Sequence, residues 1–96
     1  MPDVNAFREV VARDLRRRLA LLGDSGERRA IEDGVALLTD ARLDGMDASR
    51  FEGLLLTLDA GRSPSGLPVL KPRALARELA ARWRAYKGET SAVGIV

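Results

Sequence analysis

The amino-acid sequence predicts an all-α fold: a small four-helix, bundle-like domain with one long extended crossover before the last helix. Three observations predict it. Apolar residues recur at three- and four-residue spacing in four separate stretches, the periodicity of helices with one buried face. Glycines and cap-forming residues stand between those stretches, where helices must stop and start. A chain of 96 residues, 46% hydrophobic and 31% charged, suits one modest core and is too short for two domains.

A first helix is expected from about Asn5 to Leu22, with Val4, Phe7, Val11, Leu15, Leu19 and Leu22 on its core face. Glu9 with Arg13 and Asp14 with Arg18 are acid-before-base pairs four residues apart, worth about 0.2–0.5 kcal/mol each, and Gly23 is placed to close the helix in the left-handed conformation. The run Gly23-Asp24-Ser25-Gly26 spells the surroundings of a serine-protease nucleophile, but that chemistry needs a histidine to take the hydroxyl proton and the chain has none. Its structural reading is a helix end followed by a capping box, Asp24 with Glu27.

The second helix is expected over about Ser25 to Leu43. Ile31, Val35 and Leu38 form its stripe, with Ala30, Gly34, Leu37 and Ala41 beside it. Gly34 in mid-helix costs about 0.8–1 kcal/mol relative to Ala, which suggests that another backbone passes close by. Asp40 to Gly45 resembles the opening of a calcium loop, yet Arg42 stands at the third ligand position and Phe51 at the twelfth, where calcium needs a bidentate carboxylate. Gly45 reads instead as a helix cap, and Asp47 or Ser49 as the start of the next helix.

The third helix is expected over about Ala48 to Ala60, with Phe51, Leu54, Leu55 and Leu58 inward and Gly61 at its end. Leu56 lies off that stripe and reads as buried on a second side in preference to an exposed contact. Residues 61–71 hold two prolines and two glycines, which forbid a continuous helix. Leu67, Val69 and Leu70 should tie this connection to the core, while Ser63, Ser65 and Arg62 read as a polar loop before an anion site.

Pro72 suits the first turn of the fourth helix. At 100° per residue, Leu75, Leu79, Trp83 and Tyr86 fall within about 80° of one another, with Arg73, Arg77 and Arg84 about 160–200° away. Ala74, Ala81 and Ala85 line a third, smooth side. Gly88 is expected to end the helix, giving a domain over residues 1–88 and a tail over 89–96. The tail is polar and then apolar; it reads as a frayed end, or as a segment docking through Val93, Ile95 and Val96.

Composition excludes much chemistry. Without cysteine there are no disulfides, thiolates or cysteine metal sites, and the expected compartment is the cytoplasm. Without histidine the commonest general base and metal ligand are missing. No apolar run approaches the roughly 18 residues of a membrane span, and the N-terminus lacks the pattern of a secretory signal. Arginine outnumbers lysine 14 to 2, which the codon usage of a GC-rich genome explains in preference to selection for guanidinium forks.

Charge is also segregated. Residues 1–23 carry +2, residues 24–59 carry −5 and residues 60–96 carry +5. Either these segments pack side by side and neutralise one another, or a basic surface awaits an acidic partner.

Three functional classes follow. Enzyme catalysis fits worst: no cofactor, metal set or catalytic constellation is indicated, and Asp40, Asp44 and Asp47 sit at cap positions. A nucleic-acid or anion contact would use Arg13, Arg16, Arg17 and Arg62 with the basic residues of the last helix, against the acidity of the middle segment. The preferred reading is a protein-interaction, adaptor or regulatory module, binding another protein or a second copy as a homodimer. Its partner-binding residues are Arg73, Arg77, Ala81, Arg84 and Lys87.

Overall fold

The computed structural model describes residues 3–23, 26–62, 67 and 73–93, of which 89–93 are described by backbone alone. Four helices account for most of them: α1 (Val4–Leu21), α2 (Gly26–Leu38), α3 (Ala48–Asp59) and α4 (Arg73–Val93), with a single 3₁₀ turn at Ala41–Leu43. Among the described residues there is no strand. The predicted all-α, bundle-like architecture is the observed one.

The helices form two close hairpins, α1 with α2 and α3 with α4. Side-chain contacts give their directions. Arg8 near the start of α1 reaches the end of α2, and Arg28 near the start of α2 reaches the end of α1. Phe7 and Arg18 of α1 meet Trp83 and Glu78 of α4 respectively, so these two are also antiparallel. The hairpins face each other across an aromatic centre in which the Phe7, Phe51 and Trp83 rings lie edge to face at 5.0–5.7 Å. Tyr86 completes it at 5.5 Å from Phe7, so all four aromatic residues of the chain belong to one cluster. Around them Val11, Leu15, Leu37, Leu43, Leu55, Leu58 and Leu79 are buried.

Helix ends show where the sequence reading shifts. α1 starts one residue early because the Asp3 carboxylate accepts from the Ala6 amide at 3.1 Å. The residue that caps its C-terminus, Leu22, is extended, with φ −83° and ψ 133°, and Gly23 has no positive φ. The left-handed close expected at Gly23 is therefore not used; Arg28 instead donates to the carbonyls of Leu19 and Leu22 at 3.2 and 3.4 Å. Of the expected box of Asp24 with Glu27, Asp24 lies outside the described residues, and Glu27 stands in the first turn of α2.

α2 ends at Leu38, five residues short of expectation. The Asp40 carboxylate accepts from the Arg42 amide at 2.9 Å, offering the backbone a turn in place of another helical repeat. Ala41, expected beside the stripe, is exposed. Gly34 is buried by side chains rather than by a passing backbone: a Cβ there would lie 2.7 Å from Leu75 Cδ2 and 3.3 Å from Leu15 Cδ1.

The remaining caps follow the sequence. Gly45 has φ 75°, and the Asp47 carboxylate caps α3 by accepting from the Arg50 amide at 2.7 Å. At the other end Gly61, at φ 80°, sits in a Schellman pair: its amide donates to Leu58 and that of Arg62 to Thr57, at 2.9 and 3.1 Å. Leu56, expected buried, is 49% exposed, because Leu55 and Leu58 take the inward directions. The connection before α4 returns to its starting point, since Arg73 donates to the Asp59 carbonyl at 3.0 and 2.5 Å. Leu67 within it is buried; residues 63–66 and 68–72, including Val69, Leu70 and Pro72, lie outside the described residues. α4 runs through Gly88, expected to end it, as far as Val93; Ile95 and Val96 are not described.

Candidate partner-binding surface on the last helix

α4 divides as its periodicity predicts. Leu75, Leu79 and Trp83 are buried together with Ala76 and Ala80, and Tyr86 packs partly buried against them. Arg73, Ala74, Arg77, Ala81, Arg84 and Ala85 are exposed.

Each proposed basic residue has a distinct situation. Arg73 is turned onto the end of α3, where its guanidinium meets the partial negative charge of the helix terminus. Arg77 Nε lies 3.8 Å from the Asp59 carboxylate with its side chain 73% exposed. Lys87 donates to the Glu52 carboxylate, which also accepts from Trp83 Nε1 at 3.1 Å. These donors, Lys87 first, hold the Glu52 carboxyl below its ordinary value. Arg84 faces the same carboxylate without a hydrogen bond or ion pair to any described residue. Arg73 and Lys87 thus serve the fold, while Arg77, Ala81 and Arg84 present themselves to solvent.

Grooves flank this outer side of α4. Toward α3, a groove of about 240 Å³ is floored by Leu55, Ala80 and Trp83 and rimmed by Leu56 and Arg84. Toward α1, one of about 250 Å³ lies over Phe7, Val11 and Tyr86 between Val10 and Ala85. Val10 and Leu56 are two of the large apolar side chains left open to water, at 57% and 49% exposure.

Between α1 and α4 a four-membered charge network closes the seam. Arg18 is bidentate on Glu78 at 3.0 and 2.6 Å, and Arg82 donates to Asp14 at 2.7 Å. The bond from Arg82 holds the Asp14 carboxyl low, and the bond to Glu78 raises Arg18. The pair read from sequence as Asp14 with Arg18 is present only at 3.7 Å, and that of Glu9 with Arg13 at 3.9 Å.

The sites read as nucleic-acid contacts are scattered. Arg13 and Arg17 stand on the α4 side of α1, beside Arg82. Arg16 lies on the α2 side, near Leu38 and Thr39, and Arg62 is exposed at the far end of α3. The acidic cluster is spent on the backbone and on arginines: Asp40 binds Arg42, Asp44 binds Arg8 and Asp47 caps α3.

The residue that sequence reasoning missed is Arg8, 6% exposed. Its Nε donates to the Leu38 carbonyl at 2.7 Å and its Nη2 to the Asp40 carbonyl at 2.8 Å. Nη1 donates to Asn5 Oδ1 and Asp44 Oδ1, both at 3.0 Å. The signal was present: Arg8 lies four residues after Val4 and three before Val11, on the core side of α1.

The fold and this surface define a small helical bundle whose last helix presents a smooth, basic-rimmed side between two apolar grooves. No protein-family model matches the chain, and comparison with curated proteins and with solved structures gives no match either. Among the described residues no helix is long and apolar enough to cross a membrane.

Proposed function

We propose that the chain is a non-enzymatic helical protein-interaction module of adaptor or regulatory type, acting through the outer side of α4 and binding another protein or a second copy of itself. One observation carries this reading: small side chains at Ala81 and Ala85 lie between two large apolar side chains, Leu56 and Val10, that the fold leaves in water. A smooth helix side lets another helix approach closely, and the flanking grooves accept its larger side chains. Arg77 and Arg84 supply a rim that favours an acidic surface.

Ala81→Glu tests it without disturbing the core. Light scattering and cross-linking of the full chain over a range of concentrations should show any dimer lost in this variant. A partner isolated with the wild-type chain should be lost likewise. Unchanged association in Ala81→Glu and Leu56→Glu would overturn the reading.

The alternative, nucleic-acid binding through an arginine stripe of the first and last helices, has support in Arg16, Arg17, Arg62 and Arg84, none of which makes an ion pair with a described residue. Their dispersal over several sides argues against a continuous phosphate track. Salt-sensitive anisotropy with DNA and RNA, abolished in Arg16→Ala/Arg17→Ala/Arg84→Ala, would establish it.

A further inference from the structure

The seam between α1 and α4 has a more specific chemistry than the outer side of α4 as a whole. The groove over Phe7 and Tyr86 and a second one of about 200 Å³ share Val10 and Arg82 as walls, so the two are continuous. One half is apolar; the other is edged by Arg13 and Arg17. Arg82 is held by Asp14 and acts as a wall. Arg17 makes no hydrogen bond or ion pair with a described residue, and Arg13 has only its distant contact with Glu9. Two underused guanidinium groups thus stand one helical turn apart beside an exposed apolar patch.

We propose that this seam receives an acidic amphipathic segment of a partner protein. An apolar side chain lies between Val10 and Ala85, and carboxylates spaced a turn apart meet Arg13 and Arg17. The inference rests on the interaction-module reading and names the partner's chemistry. Charge complementarity selects an acidic ligand. The apolar half of the groove, over Phe7, Val11 and Tyr86, selects a peptide with an apolar side chain to bury over a phosphate backbone, which has none.

The test is an NMR titration of the isotopically labelled full chain with a short designed helical peptide bearing leucines on one face and glutamates at four-residue spacing. Its lysine-substituted counterpart is titrated in parallel. The glutamate peptide should shift Val10, Arg13, Arg17 and Ala85; Arg13→Glu/Arg17→Glu should weaken binding on the order of tenfold or more, and Val10→Glu should abolish it. All three positions are exposed, so the variants fold, which a thermal melt verifies. Equal binding of the lysine peptide, or no shifts at the seam, overturns the proposal. Shifts confined to Leu56 and Arg84 overturn it while leaving the interaction module standing. Shifts of the arginines by a DNA or RNA oligomer with Val10 unmoved, or concentration-dependent shifts of Val10 without peptide, overturn it in favour of nucleic acid or a second copy.

Discussion

Arg8 is a cation inside the core boundary, and four of its five N–H groups have acceptors. Of the two carbonyls it holds, Leu38 is the last of α2, where helix geometry leaves acceptors unpaired, and Asp40 in the following turn also accepts from the Leu43 amide at 3.0 Å. Removing the guanidinium strands the Leu38 carbonyl, while Asp40 keeps the Leu43 amide and the Asp44 carboxylate is left in water, so Arg8→Ala should cost about 1–3 kcal/mol in urea denaturation. Arg8→Lys should recover only part of that, since one ammonium cannot reproduce the planar fork. Gly34 poses the opposite problem, a missing atom. Gly34→Ala gains about 0.8–1 kcal/mol of helix propensity but forces Leu75 and Leu15 aside, and overpacking costs about 1–3 kcal/mol. A net loss of about 1 kcal/mol is expected. In a Leu75→Ala background the same substitution should turn stabilising, which a double-mutant cycle reads directly.

The helices themselves were largely legible. The stripes of α1, α3 and α4 followed from spacing alone, because burial of one face at 3.6 residues per turn leaves no other arrangement of Phe7, Phe51 and Trp83. Ends were less legible where they depend on partners distant in sequence. α1 closes on Arg28 and α2 on Arg8, neither of which a local motif announces, whereas Gly61 and Asp47 act within their own turn and were readable. The smooth and basic sides of α4 were visible in its periodicity; that Arg73 and Lys87 would turn back onto α3 was not, since Asp59 and Glu52 reach them only through the fold. Gly53 lies inside α3, exposed, with nothing near the position its Cβ would take. Gly53→Ala should therefore stabilise the protein by about 0.8–1 kcal/mol, measured by thermal or urea unfolding.

Across the molecule, the segregated charge of the sequence resolves mainly into internal pairing. Acids of the middle segment meet both basic ends, through Asp44 with Arg8 and Glu52 with Lys87, and the ends meet each other through Asp14, Arg18, Glu78 and Arg82. Asp14 and Glu52 are held below their ordinary values by Arg82 and Lys87, and Asp40 is lowered to about 2 by Arg42. Carboxyls lowered in the folded state stabilise it while ionised. That contribution is complete above about pH 5 and is lost as pH falls through about 4 toward 2. With no histidine, the urea midpoint should stay level between about pH 5 and 8 and decline below about 4. The single tryptophan reports the transition well: Trp83 is 1% exposed within the ring cluster. Its emission should be blue-shifted, resist aqueous quenchers and change in step with helical circular dichroism.

The crossed guanidinium contacts of α1 and α2 restrict one kind of motion in particular. Sliding either helix lengthwise by a turn, about 5.4 Å, would strip Arg8 from Leu38 and Asp40 and at the same moment Arg28 from Leu19 and Leu22. Shear along that hairpin is thereby latched at both extremities. A partner of the kind proposed for the seam would therefore have to be accommodated by rotamer changes at the rim or by displacement of α4, with α1 held stiff.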